Sequence, residues 1–158
     1  MSGASSAPAP APAPAPERSR AVATWLALLG GSLGLHRFYL YGAGDFWGWL
    51  HPWPTLVGAY GFWRLRELGV DDVAGSRLVL FLGALVAISM LEAIVIGLTS
   101  DERWTARHGA APARAPAWPT YVAVGLALAI GAGAAMATIA FAAQQYFESH
   151  IERRVGLI

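Results

Sequence analysis

Apolar and polar residues fall in long blocks along this chain and not in short alternations. Ala21 to Leu35 (AVATWLALLGGSLGL) is the first apolar run, Phe46 to Trp63 the second, Leu78 to Leu98 the third and Trp118 to about Ala143 the fourth. Runs of this length between polar connectors predict an all-α membrane protein of about four transmembrane helices, the first two forming a hairpin. The third run spans without difficulty, since its 21 residues rise about 31 Å as a helix. The first rises only about 22 Å, short of a ~30 Å hydrocarbon core. Phe38, Tyr39 and Leu40 are expected to supply the missing depth while Arg37 reaches back to the headgroups. His51, Pro52 and Pro54 interrupt the second run, which predicts a kink, or an interfacial segment followed by a helix from near Pro54.

The polar blocks complete the organisation. Residues 1–20 are a disordered Ala/Pro-rich tail with five Ala-Pro repeats from Ala7 to Pro16, an extended spacer or a ligand for a proline-recognising module. It does not have the pattern of a signal peptide, because Arg18 and Arg20 stand directly before the first apolar run. The hairpin covers 21–67, a polar connector 68–77, the third helix 78–98, a polar loop with Trp104 and His108 99–117, and the fourth helix 118–143. Residues 144–158, with Glu148, Glu152, Arg153 and Arg154, are an amphipathic end that prolongs the helix along the interface. Gly30 and Gly34 form a small-xxx-small pair that lets another helix approach. Gly125, Ala129, Gly133 and Ala137 recur every fourth residue and suit close packing inside the bundle or between copies. Trp47, Trp49 and Trp53 crowd one end of the second run and Trp63 marks the other, as aromatic belts do.

Composition agrees with lipid as the solvent. The chain is 56% apolar and 13% charged, with a mean hydropathy of +0.46, where a soluble domain is about a quarter charged. The expected partners are the lipid bilayer and, through helix contacts, a second copy or another membrane protein. A net charge of +1 argues against nucleic acid. With no Cys there is no disulfide, thiolate nucleophile or Cys-based metal site. On a four-span count, Arg18, Arg20, Arg64, Arg66, Arg77, Arg153 and Arg154 share one side, against Arg37, Arg103, Arg107 and Arg114. The positive-inside rule then places both termini in the cytoplasm.

Chemistry concentrates at one intramembrane acid. Glu92 lies about six residues, or ~9 Å, from the end of the third run, and an unpaired charge at that depth costs several kcal/mol. It is expected to pair with Arg37 or, second, with His36; a protonated Glu92 and a proton or ion path are the other readings. His36 and His51 could share a metal, but without Cys, and with Asp45 as the only nearby acid, they fall short of a closed site. Asp71-Asp72 and Asp101-Glu102 read as solvated loop charges. There is no nucleophile elbow, phosphate loop or His-Glu-x-x-His, and Ser32 and Ser89 lack a base, so no enzyme and no cofactor is expected.

Arg18 to about Glu67 resembles the TM-two domain family, small modules of two membrane helices joined by a short turn. The likeness rests on a basic start (Arg18-Ser-Arg20), an apolar run ending Leu29-Gly-Gly-Ser-Leu-Gly34, the turn His36-Arg37-Phe38-Tyr39-Leu40, and Gly61-Phe-Trp63 in the second half. Tyr41 precedes Gly42 where the family has Gly directly after Tyr-Leu, and Arg64, Arg66 and Glu67 stand where it tends to carry Asp. The resemblance implies a membrane module without established enzymatic activity, whose animal members look like participants in cell-surface signalling. It draws the turn on the cytoplasmic side, opposite to the Arg count, and the count is followed here. The expectation is a non-enzymatic, multi-pass protein of a bacterial inner membrane, acting as a scaffold or interaction module. The alternative is a small oligomeric channel or proton-linked transporter using Glu92 and His36, with transport resting on oligomers because the two halves do not read as repeats.

Overall fold

A computed structural model describes residues 18–109 and 117–156, and no strand occurs among them. The Ala-Pro tail before residue 18 lies outside this range. The helices are α1 (Arg20–Gly30), a 3-10 turn (Gly31–Leu33), α2 (Leu35–Tyr41), α3 (Phe46–Leu50), α4 (Pro52–Leu68), α5 (Val73–Gly97), α6 (Asp101–His108) and α7 (Trp118–Val155).

α5 is the axis of the fold, with α1, α4 and α7 all packed on it. Its 25 residues rise about 37 Å. Asp72 caps its start, accepting from the Gly75 N–H at 2.9 Å. The helix thus begins five residues before the expected Leu78, and the connector shrinks to a tight corner. The corner marks the lower end of the molecule, and α6, just beyond the other end of α5, marks the upper.

The first apolar run does not cross from end to end. α1 starts at the upper end, where Arg20 bonds the Thr99 carbonyl and pairs with Asp101 at 2.8 Å. It descends antiparallel to α5 for about 16 Å, until Gly31 lies against Ser89. There the chain reverses. Gly34 takes φ 75°, with the Gly48 carbonyl carbon 3.2 Å from where a Cβ would stand, a place only glycine fills without strain. α2 then climbs back beside α1: the Ser19 N–H donates to the Tyr39 hydroxyl at 2.9 Å, and Leu40 packs with Ala23 and Trp104. Phe38, Tyr39 and Leu40 therefore do not deepen α1; they belong to the return limb. Gly30 and Gly34 serve this reversal, Leu35 folding over Gly30.

The second run is split, as His51 and the prolines predict. α3 descends from the upper end, capped by Asp45, and α4 continues it from Pro52. Thr55 donates to the Ser32 carbonyl at 2.5 Å, so the broken backbone of the 3-10 turn is satisfied by a neighbour. Below this, Gly58 and Gly61 bring α4 onto the backbone of α5 at Leu82 and Val79.

α7 runs antiparallel to α5 without a break past the expected limit near Ala143. Its packed face is Thr120, Ala123, Ala127 and Gly131, with Thr138 against Gly83. The stripe of Gly125, Ala129, Gly133 and Ala137 is exposed. It does not pack inside the bundle, because the buried face lies elsewhere around the helix. The expected loop 99–117 contains α6, and Trp104 is buried, its Nε1 donating to the Arg18 carbonyl at 2.9 Å.

Packing is inverted relative to a soluble protein. The buried cluster is Ala27, Leu28, Met90, Ala93, Ala123 and Ala127, mostly small, while Leu29, Trp49, Phe62, Phe81, Leu128 and Ile139 point outward. α5 and α7 are long and apolar enough to cross a membrane, with mean hydropathy of 2.6 and 2.1 in their most apolar stretches. Only 17% and 11% of those stretches are buried in the protein, so neither is the core helix of a soluble fold.

The traverse count alters the charge argument. Arg18, Arg20, Arg37, Arg103 and Arg107 stand toward the upper end, and Arg64, Arg66, Arg77 and Arg154 toward the lower. Arg18 and Tyr146 lie at opposite ends, and the near balance of arginines among the described residues selects no orientation.

Candidate functional site

Two helix breaks meet at one depth beside α5, and His36, His51, Ser89 and Glu92 collect there. His36 follows the Gly34 reversal, and His51 forms the junction of α3 and α4. Glu92 comes from the unbroken α5, one turn above Ser89. His36 Nε2 lies 3.1 Å from Glu92 Oε2, and His51 Nε2 lies 3.6 Å from the same oxygen. The imidazoles meet edge to face, 5.9 Å between centroids. The His36 side chain is 3% exposed and that of Glu92 31%. Neither contact to Oε2 has hydrogen-bond geometry, and His36 Nδ1 and Ser89 Oγ bond to nothing.

Arg37 is not the partner of Glu92. Its Nε donates to Asp45 Oδ2 at 2.7 Å, and its ring neighbour is Tyr41, at 5.2 Å from the guanidinium carbon. Asp45 is the nearer acid, held in the loop by the Gly48 N–H at 2.8 Å, so the guanidinium is already satisfied. The Arg37 guanidinium holds the Asp45 carboxyl below the usual carboxylate range, and the Gly48 N–H adds to this against the opposing cost of desolvation. Phe38 packs its ring over Gly48 and against Trp49, with centroids 5.2 Å apart, and so locks α2 to α3. The turn residues His36, Arg37, Phe38 and Tyr39 are thus four contacts of one reversing unit: to α5, to the loop, to α3 and to Ser19.

The site is continuous with a groove that runs toward the upper end. A groove of about 270 Å³ between α2 and α5 passes Glu92, His36, Arg37 and Tyr41. Beneath the site, Gly58 against Leu82 and Gly61 against Val79 close the seam of α4 and α5. No residue of α5 from Leu78 to Leu91 titrates, nor any of α7 from Val122 to Gln145. Among the described residues no three metal-ligating side chains stand so as to hold an ion.

Sequence reasoning singled out Glu92 and His36, and read His51 as a helix breaker and as half of an incomplete metal pair with His36, but did not bring it to Glu92. The signal was the carbonyl four residues back: Trp47 O lies 2.6 Å from His51 Nδ1, which fixes the ring toward α5. Gly125, Ala129, Gly133 and Ala137 take no part in this site.

No family model matches the chain, and comparison with curated proteins and with solved structures finds no match.

Proposed function

We propose that the chain is an integral membrane protein of the TM-two type that works without catalysis, as a membrane scaffold or interaction module. The inverted packing carries this reading: alanine, glycine and serine face inward while leucine, phenylalanine and tryptophan face outward. Lipid is the solvent in which such a surface is stable. Within the bilayer, α3–α4, α5 and α7 are the crossing elements, and α1–α2 is a re-entrant hairpin supporting the His36–Tyr39 turn. This replaces the four-span reading with three crossings. A bacterial inner membrane is the proposed location.

A conduit is the less favoured reading. The polar groups end at Ser89, the seam below is closed by glycine-mediated backbone contact, and no chain of titrating residues continues to the lower end. Gentle extraction of the tagged protein from its native membrane, with native mass determination and identification of what remains bound, tests the function. A stoichiometric partner protein is the expected result. A homo-oligomer with nothing else bound, and proton flux in liposomes that Glu92→Gln abolishes, would overturn it in favour of transport.

A further inference from the structure

We propose that His36, Glu92 and His51 form a proton-binding site, loaded from the upper end, that fastens the α2–α3 unit to α5. The inference goes beyond the scaffold role and rests on the membrane-spanning part of that reading.

The argument is a count of donors and acceptors. The Trp47 carbonyl can only accept, so His51 Nδ1 at 2.6 Å must carry a hydrogen. A neutral His51 then has a bare lone pair on Nε2, and that atom faces Glu92 Oε2 at 3.6 Å. An ionised carboxylate offers only lone pairs, so the two atoms repel unless a donated hydrogen lies between them. His36 cannot relieve this. It has one hydrogen to give when neutral, and a hydrogen on Nε2 lies near the same oxygen from the other side, at 3.1 Å and without hydrogen-bond geometry, while leaving the unpartnered Nδ1 bare. One further proton, on His51 Nε2 or on Glu92, satisfies the junction. It also leaves the cluster without net charge, which the surrounding apolar helices favour. A metal ion does not fill the role, because the three side chains do not stand at ligand geometry.

The other charged and titrating groups nearby are accounted for. Arg37 is engaged by Asp45, Tyr41 lies on Arg37, and His108 lies beyond Tyr41 with centroids 6.2 Å apart. α1, α4 and α7 present no titrating side chain to the cluster. Protons reach Glu92 through the groove between α2 and α5, and the closed seam beneath keeps them from the lower end. The site therefore reports the pH of one compartment, and its loss of a proton loosens the α3–α4 junction from α5.

The test is the pH dependence of thermal stability of the full chain in lipid nanodiscs, between about pH 5 and 8, the range in which imidazole titrates. The slope of stability against pH counts the protons that folding takes up. Wild type is compared with Glu92→Gln, whose amide supplies a donor at every pH, and with His51→Gln, which donates to Glu92 without titrating. Both variants keep His108, so its contribution cancels. Above about pH 6.5, where a free imidazole has given up its proton, wild-type stability is expected to fall relative to both variants as pH rises, with a difference in slope of about one proton. A pH-independent difference overturns the site. A wild-type slope retained in His51→Gln overturns the role of His51. Hydrogen exchange of residues 49–53 in wild type, corrected for the intrinsic pH effect, gives a second reading that needs no variant. Loosening with rising pH is expected, and constant protection overturns the proposal.

Discussion

Arg37 and Asp45 are joined by two hydrogen bonds, 2.7 Å and 3.4 Å, and Arg64 and Asp72 repeat the arrangement at 2.8 Å and 2.9 Å. In each case the arginine stands eight residues before the aspartate. Each aspartate caps the next helix by accepting from the N–H of a glycine three residues on, Gly48 and Gly75. Between them a glycine with φ of 86° or 89° ends the preceding helix, Gly42 and Gly69. The spacing Arg-x4-Gly-x2-Asp-x2-Gly thus occurs twice, at Arg37–Gly48 and at Arg64–Gly75, and builds the upper and lower corners of the fold alike. One aspartate serves the helix N-terminus and the guanidinium together, which fixes the angle at which the chain re-enters.

Both corners should fail in acid. The Arg37 guanidinium lowers the Asp45 carboxyl, and the Arg64 guanidinium lowers that of Asp72, below the ordinary 3.8. A lowered folded-state value means that the unfolded chain binds more protons, so stability is fully present above about pH 4 to 5 and lost as pH falls through the folded values. Asp45→Asn and Asp72→Asn should each reduce stability at neutral pH and flatten the acid limb. Unfolding curves between neutral pH and about pH 3 check this. An acid limb as steep in both variants as in wild type contradicts the assignment.

α6 carries a second acid sensitivity, nearer to neutrality. Burial against Trp104, with the cations Arg18 and Arg107, lowers His108 below its ordinary 6.5. The unfolded state then takes up the proton first, so the docking of α6 loses stability as pH falls below about 6.5. His108→Phe keeps the ring against Trp104 and should remove this loss. Hydrogen exchange of residues 101–108 at several pH values reads it. If protection of α6 in wild type does not fall with acid, the burial of His108 is not what sets its proton affinity.

The re-entrant hairpin makes a topological prediction that the four-span reading contradicts. The chain has no cysteine, so single substitutions report cleanly. Ser19, Ala43 and Ser100 should react with a membrane-impermeant thiol reagent from one side, and Asp71 and Ser149 from the other, each as its cysteine variant. Four full crossings would put Ser19 and Asp71 on the same side. Labelling of both from one side would remove the re-entrant hairpin.

How much of this was legible in the sequence follows from which interactions are local. The apolar blocks, the break at His51 and Pro52, and the isolation of Glu92 are properties of single segments, and they read directly. The reversal at Gly34 is not. A helix that stops at half depth and one that continues have the same hydropathy, and tertiary contacts, such as Ser19 with Tyr39 and Leu40 with Ala23, are what distinguish them. The choice of Asp45 over Glu92 by Arg37 was within reach, because an aspartate three residues before a glycine at a helix start is a local signal. The alanine-rich α7 offers small residues on every face, so spacing alone could not say which face is buried.

That ambiguity gives the last prediction. Gly58 and Gly125 are both helical glycines, yet a Cβ at Gly58 would stand 2.9 Å from the Leu82 Cα, and one at Gly125 would meet nothing within 4 Å. Gly58→Leu forces α4 away from the backbone of α5 and should destabilise the fold by about 1–3 kcal/mol, the usual range for overpacking a close contact. Gly125→Leu and Gly133→Leu should leave the stability of a single copy within about 0.5 kcal/mol, as exposed substitutions do. Native mass determination then separates the two roles of a small-residue face. If this stripe is a contact between copies, both leucine variants lower the oligomer mass, and the thermal midpoint falls only by what the lost association contributed. If the mass stays unchanged, the stripe faces lipid alone, and self-association, where it occurs, uses another surface.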